Sequence, residues 1–278
     1  MKLVGFQGVP GAYSEIAAKN FLKGKYEFKP CRDFRSVFSG VESGRLKYGV
    51  IPIENSLAGS IHENYDHLQK RNVWICGEYK LRVSHCLVGL KSTSIQELKH
   101  VYSHPQALAQ CASYLRGHKD IQPIPYFDTA GSAKYIAEKG DPSLAAVASR
   151  LAAKQYGLKV LEGGIEDNEE NYTRFLLIEK KQQSQVSRSK IRNKTSIVFA
   201  LKNIPGCLHK CLSVFAIRDI DLFKIESRPI PGSPWKYVFY LDFRGGSEDE
   251  AQSKALSHLS EITDYLKVLG SFKEASVS

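Results

Sequence analysis

The sequence predicts an α/β fold over residues 1–179 and a smaller ferredoxin-like βαββαβ domain over residues 195–278, joined by a tether at 180–194. Three observations carry this reading. Short apolar runs alternate with amphipathic helical stretches from Leu3 to Ile178, the habit of largely parallel sheets. The tether is polar and basic, holding Lys180, Lys181, Arg188, Lys190, Arg192 and Lys194 without an acidic residue. Beyond it, the apolar periodicity runs strand, helix, strand, strand, helix, strand. The chain is long enough for two domains, each with its own core.

In order, residues 2–8 alternate as a strand and end in the turn Gln7-Gly8-Val9-Pro10-Gly11. From Ala12 a helix places Ile16, Ala17 and Phe21 on one face. Residues 28–31 are a short strand, and Val37, Phe38 and Val41 mark a helix stopped at Gly44. Residues 48–53 form a buried strand ending in Glu54-Asn55-Ser56. Ser60-Ile61-His62-Glu63 has capping-box spacing, with Ser60 at the N-cap of the next helix. Two extended runs, 74–81 and 83–90, carry the chain into another lobe. After a strand at 101–103, Pro105 opens a helix with Leu108, Cys111, Ala112 and Leu115 as its apolar face and Gln110 beside them. A strand at 124–127 leads into a helix that opens at Asp128-Thr129-Ala130-Gly131-Ser132. Residues 145–148 and 159–161 are strands before an acidic turn at 166–170. In the second domain, strands at 195–201, 221–230, 236–243 and 268–272 flank helices over 208–217 and 248–266.

Charge and composition exclude several function classes. The formal net charge is +10, but residues 195–278 carry ten Lys/Arg against ten Asp/Glu, so the excess sits largely in the tether. No basic, aromatic-rich face of the kind that reads DNA or RNA is evident, and no nucleic-acid partner is expected. No apolar run reaches the ~20 residues of a membrane helix, and none resembles a signal peptide. The expected location is the cytoplasm, or a plastid if a transit peptide has been removed. Cys31, Cys76, Cys86, Cys111, Cys207 and Cys211 form no CxxC pair and read as free thiols. GxGxxG, GKS/GKT, HExxH and GxSxG motifs are absent, so neither a cofactor nor a metal is expected.

The polar residues cluster at strand ends, where α/β sheets gather ligands. Asn171-Tyr172-Thr173-Arg174-Phe175 places a hydroxyl and a guanidinium at the mouth of an apolar strand. Glu54 and Asn55 end another strand, followed by the small, hydroxyl-rich loop Ser56-Leu57-Ala58-Gly59-Ser60. Ser60 serves there either as helix cap or as ligand contact. Thr129, Gly131 and Ser132 open a helix whose free N–H groups and hydroxyls suit a carboxylate. Arg174 points away from Thr173 by strand alternation, leaving it either an ion pair or a carboxylate ligand.

Together these pieces resemble a known family. Gly8-Val9-Pro10-Gly11-Ala12-Tyr13-Ser14, Ile51-Pro52-Ile53-Glu54-Asn55-Ser56, Ser103-His104-Pro105-Gln106, Asp128-Thr129-Ala130-Gly131 and Asn171-Tyr172-Thr173-Arg174-Phe175 resemble the signature stretches of prephenate dehydratases. Glu226-Ser227-Arg228-Pro229 is similar to a motif of the ACT domain that follows them. The resemblance implies a two-lobed, periplasmic-binding-protein-like catalytic domain, with one lobe of about 1–80 with 160–179 and the other of 81–159. It implies cofactor-free conversion of prephenate to phenylpyruvate, or of arogenate to phenylalanine by the sibling activity; the other alternative is a non-catalytic amino-acid sensor. Thr173 would be the central catalytic residue, with Asn55, Gln110 and Glu54. Ser14, Ser56, Ser60, Thr129, Gly131, Ser132, Arg174 and Phe175 would contact substrate. Phenylalanine would bind as feedback effector between paired ACT domains of a homodimer or homotetramer. Its contacts would be Asn203, Pro205, Gly206, Cys207 and Leu208, with Glu226, Ser227, Arg228 and Pro229. Cys207 stands where the family usually has alanine, and His209 where an apolar residue is common.

Overall fold

The computed structural model describes residues 1–181, 191–202, 204–230 and 232–276. Its first lobe contains β1 (Lys2–Gln7), α1 (Tyr13–Phe21), β2 (Tyr26–Cys31), α2 (Phe34–Glu42), β3 (Tyr48–Asn55), β4 (Gly59–Ser60), α3 (His62–Lys70) and β5 (Val73–Arg82). The chain then crosses into a second lobe. This holds β6 (Cys86–Gly89), β7 (His100–Ser103), α4 (Pro105–Gln110), α5 (Ala112–Gly117), β8 (Gln122–Pro125), α6 (Thr129–Lys139), β9 (Leu144–Ala148), α7 (Arg150–Gln155) and β10 (Lys159–Gly163). It returns as β11 (Tyr172–Lys180), which inserts between β3 and β5. The outgoing and returning segments are tied together: Val83 N–H donates to Asn171 C=O at 2.7 Å and Gly164 N–H to His85 C=O at 3.0 Å.

The two sheets run β2-β1-β3-β11-β5 and β10-β6-β9-β7-β8, with β4 paired to the end of β3. Pairing is mixed rather than largely parallel. β1 is parallel to β2 and β3, and β7 to β8 and β9, but β11 and β6 are antiparallel to both their neighbours. The cause is the double crossing: β11 begins at the cleft where β3 ends, so the two run opposite ways. Residues 160–163, expected in the first lobe, pair with β6 in the second.

Local chemistry explains the element ends. Asp33 caps α2 by accepting from Ser36 N–H at 2.8 Å, and the helix buries Val37, Phe38 and Val41. The single helix expected from Pro105 onward is two short ones, broken at Cys111. Gln110 C=O accepts from Asp167 N–H at 2.7 Å instead of continuing the helix, and the Asp167 carboxylate takes Ser113 N–H at the start of α5. Gly11 sits at φ +94° against Ala152 of α7, where a side chain would collide with backbone. That turn is a seam between lobes: Ser149 Oγ donates to Gly11 C=O and Tyr156 OH to Pro10 C=O, each at 2.8 Å.

After the tether come β12 (Lys194–Ala200), α8 (Cys207–Ala216), β13 (Leu222–Ile230), β14 (Ser233–Arg244), α9 (Glu250–Ile262) and β15 (Tyr265–Phe272). Their antiparallel sheet runs β13-β14-β12-β15, the ferredoxin-like order. One face packs Ile197, Phe199, Leu241 and Phe243 beneath α8 and α9. The other face is also apolar. Val198, Val238, Tyr240 and Phe272 join Phe38, Tyr65 and Leu68 in one core with the first lobe. The expected independent cores are therefore replaced by a shared one, because both faces of this sheet need cover. Lys267 fastens the junction, its ammonium donating to the C=O groups of Leu68, Gln69 and Arg71 at 2.8–2.9 Å as the C-terminal cap of α3.

Candidate active site

Because β3 ends and β11 begins at the interlobe cleft, Asn55 and Thr173 are cross-strand partners. Their strand neighbours, Glu54 and Arg174, pair on the opposite face. The first turn of α1 contributes Tyr13 and Ser14, α4 contributes Gln110, and the two crossings contribute His85 and Asn171. The cleft holds about 200 Å³, with Phe175 on its apolar wall and His104, Asp128 and Thr129 opposite.

A continuous row of hydrogen bonds lines its floor. Asn55 Oδ1 accepts from the N–H groups of Leu57 and Ala58 at 3.1 and 3.0 Å, which fixes the amide's orientation. Asn55 Nδ2 therefore donates to Thr173 Oγ1 at 3.0 Å and Asn171 Oδ1 at 2.7 Å. Asn171 Nδ2 donates to Gln110 Oε1 at 3.0 Å, and that oxygen lies 3.0 Å from His85 Nε2. His85 Nδ1 is 3.0 Å from the Tyr13 hydroxyl, which donates to Ser84 C=O at 2.6 Å. Asn55, His85, Asn171 and Thr173 are all less than a tenth exposed. Since Thr173 Oγ1 already accepts from Asn55, its own proton is free for whatever occupies the cleft.

Burial shapes the titration of this row. Desolvation pushes the Tyr13 phenol well above its ordinary range. It lowers His85, against the opposing pull of the Gln110 hydrogen bond and the Glu166 charge. Cys111 behind α4 is pushed up to about 12 by burial, then by Glu166 and Asp167, and stays a thiol.

The structure brings Thr173, Asn55, Gln110, Ser14, Thr129 and Phe175 together around the cleft. It turns six other expected residues elsewhere. Glu54 faces Lys224 of β13 at 3.0 Å and Arg174 at 3.8 Å, not Thr173. Arg174 is an ion pair: its guanidinium meets Glu78 at 2.8 Å and Asp242 of β14 at 2.6 Å, on the face away from substrate. Ser56 splices two loops, donating to Glu170 C=O and accepting from Tyr172 N–H. Ser60 does not cap α3, whose N-cap is Ile61; it donates to the Glu226 carboxylate and accepts from Lys224. At the start of α6, Gly131 N–H is taken by the Asp128 carboxylate and the buried Ser132 hydroxyl donates to Asp128 C=O. Strand parity accounts for Glu54 and Arg174 and local capping for Gly131 and Ser132, while Ser56 and Ser60 are held by segments distant along the chain. His85, by contrast, escaped the sequence reading. It is a lone histidine inside the second extended run, 83–90, and the one available signal was its place where the chain changes lobes.

A second concavity, about 150 Å³, lies on the C-terminal domain among Leu201, Lys202, Ile204, Cys207, Leu208, Lys236, Tyr237 and Phe239. Of the expected effector contacts, Cys207 and Leu208 line it, and Pro205 and Gly206 form the turn before α8. Asn203 lies outside the described residues. Glu226 and Arg228 are corrected. They face the first lobe, where Glu226 holds Ser60 and Arg228 approaches Asp66 at 3.7 Å, while Ser227 and Pro229 alternate to the other side.

Fold and cleft together define a two-lobed protein that handles a small polar molecule and carries a ferredoxin-like appendix. Residues 4–183 match the family model for prephenate dehydratase. The chain is 45% identical to arogenate dehydratase/prephenate dehydratase 2, chloroplastic, of Arabidopsis thaliana, over 97% of this chain and 72% of that one. Among solved structures it is similar to the Arthrobacter aurescens prephenate dehydratase in complex with L-Phe, with TM-score 0.89, 29% identity and coverage of 98% and 90%. It is also similar to GqqA, described as a novel type of quorum quenching acylase, with TM-score 0.90, 31% identity and coverage of 99% and 98%. The chain belongs to the prephenate dehydratase family.

Proposed function

We propose that the cleft converts prephenate to phenylpyruvate in phenylalanine biosynthesis. The observation that carries the reading is the Thr173 hydroxyl, oriented by Asn55 so that its proton is offered to the cleft. In the reaction the ring carboxylate leaves as carbon dioxide, its bonding electrons aromatise the ring, and the ring hydroxyl takes one proton and leaves as water. Thr173 donates a hydrogen bond to that departing oxygen, where negative charge develops. Glu54, turned onto the other face, is not the acid, so the proton comes from another group or from water. The apolar wall of the cleft, with the Phe175 ring in it, holds the substrate ring for collapse.

Arogenate, in which an ammonium replaces the keto oxygen, is the second reading, and one observation favours it. Asp128 lines the cleft, and its Oδ2 is buried without a hydrogen bond among the described residues. A free carboxylate suits an ammonium better than a ketone. Parallel assays with prephenate and arogenate test both: turnover of either supports dehydratase chemistry, and the ratio of specificity constants names the substrate. Asp128→Asn keeps the cap of α6 and lowers arogenate turnover selectively if that carboxylate reads the ammonium. No turnover of either overturns the proposal in favour of a sensor.

Phenylalanine is the proposed effector, bound at the Cys207–Leu208 concavity between C-terminal domains paired in a homodimer or homotetramer. Ile204, Leu208, Ile225 and Tyr237 are exposed apolar side chains of this domain and support such pairing. The route to catalysis is short, since β13 meets Glu54 and Ser60 on either side of the Asn55 loop.

A further inference from the structure

The hydrogen-bond row on the cleft floor has a direction at each end, and the two directions conflict at His85. Backbone N–H groups can only donate, so Leu57 and Ala58 hold Asn55 Oδ1 and force its Nδ2 toward Asn171. Asn171 in turn presents Nδ2 to Gln110 Oε1. An amide oxygen only accepts, so the His85 Nε2 lying 3.0 Å away must carry a proton. At the other end Ser84 C=O only accepts, and it consumes the single proton of the Tyr13 hydroxyl at 2.6 Å. The Tyr13 oxygen can then only accept from His85 Nδ1 at 3.0 Å, so that nitrogen must carry a proton as well. A neutral imidazole has one N–H. Either the bond to Gln110 or a bond of Tyr13 is lost until the ring gains a second proton.

We infer that His85 is a proton-linked positioning residue: it becomes imidazolium when an anionic substrate enters, closing the row that aims Asn55 and Thr173. The inference rests on the dehydratase reading for its substrate, a dianion, and on geometry for the rest. None of the residues lining the cleft is Lys or Arg. Of the two histidines there, His104 accepts Gln106 N–H at its Nδ1 as the cap of α4, so protonating that nitrogen breaks the cap. His85 is the remaining source of positive charge.

The groups around the ring allow this change. On the crossing, the Glu166 carboxylate accepts the backbone N–H of His85 at 2.8 Å and is itself 3.7 Å from Arg82. From β6 and the α4–α5 break come Cys86 and Cys111, both raised by burial and uncharged. Tyr13 of α1 stays protonated, and Asp128 across the cleft is the other nearby anion. Desolvation keeps His85 low in the free protein, so the occupant's charge supplies the bias. By linkage, if the occupant raises the midpoint of His85 by about one unit, the protonated form binds it about tenfold tighter.

Nitrogen NMR of ¹⁵N-histidine-labelled full chain, with His85 assigned by its loss in His85→Gln, reads both ring nitrogens directly. Phenylpyruvate serves as the anionic probe. The expected result is an upward shift of the His85 midpoint of about one unit or more, with both nitrogens protonated in the complex. Without ligand, Tyr13→Phe removes the acceptor at Nδ1 and lowers the midpoint. In kinetics, kcat/KM of the wild type falls as pH rises through the free-protein midpoint, and His85→Gln, which keeps a donor toward Gln110 without the charge, loses that fall. An unmoved midpoint with phenylpyruvate, an unmoved midpoint in Tyr13→Phe, or an unchanged alkaline limb in His85→Gln overturns the inference. A wild type inactive on both substrates, but with a phenylpyruvate-shifted ring, sinks the dehydratase reading and leaves the role of His85 standing.

Discussion

Thr173 is a weak acid whose usefulness depends on which way its proton points. A threonine facing solvent rotates freely; here Asn55 Nδ2 occupies the acceptor side at 3.0 Å, and Asn55 is itself fixed by two backbone N–H groups. The hydroxyl is thus organised before substrate arrives, which is the condition under which a hydrogen bond lowers a barrier. Thr173→Ser keeps the donor and is expected to retain turnover within about tenfold, whereas Thr173→Val, isosteric without the donor, is expected to lose about 100-fold or more in kcat. Steady-state assays of both decide the point, and a fully active Thr173→Val removes Thr173 from the mechanism.

At the scale of elements, β11 has two chemical faces. Thr173 serves the cleft, and Arg174 one residue later enters a buried cluster with Glu78, Lys194 and Asp242 that joins β5, β12 and β14. The two domains therefore meet through the residue beside Thr173. Arg174→Met leaves two buried carboxylates with Lys194 alone and is expected to cost about 3–5 kcal/mol in denaturant unfolding. Burial alone would raise the Asp242 carboxyl, but Arg174 and then Lys194 outweigh it and hold it below its usual range. In Glu226, burial is likewise outweighed by its bonds to Ser60 and Lys224. Depressed carboxylates bind fewer protons folded than unfolded, so their contribution is complete above the ordinary range near 4 and is lost as pH falls below it. The wild type should lose stability below about pH 4, whereas Arg174→Met, in which burial again raises the Asp242 carboxyl, should lose less over that range, so the cost of the substitution shrinks as pH falls. Identical acid midpoints in thermal melts would count against this coupling.

On the scale of the whole molecule, the C-terminal sheet is covered on one side by its own helices and on the other by the first lobe. Gly270 of β15 lies so close to β5 that any side chain there would strike the Ile75 backbone. In the proposed regulation, occupancy of the C-terminal pocket reaches the Asn55 loop through the contacts of Lys224, Glu226 and Ser60. Cys207, nearly buried in the wall of that pocket, is the point to test. Cys207→Phe fills the cavity and is expected to abolish the heat of phenylalanine binding while sparing basal turnover. Wild-type calorimetry without a phenylalanine heat would remove the regulatory proposal and leave catalysis untouched.

Local information determined a good deal. Apolar periodicity placed the strands and helices of both domains, because side-chain burial follows residue spacing, and the ordered motifs carried the family with Thr173, Asn55 and Gln110 in it. Alternation along β11 even separated Thr173 from Arg174 before any partner was known. What residue spacing does not encode is the far side of a contact. Glu54, Ser60 and Glu226 looked like ligand groups until the sheet of a distant domain was laid against them, and His85 looked like nothing until it joined a row of five other side chains and three backbone groups drawn from both lobes. Only the tertiary structure decided those roles, since a polar group's work is set by which donors and acceptors surround it, and here such partners lie up to 199 residues away along the chain.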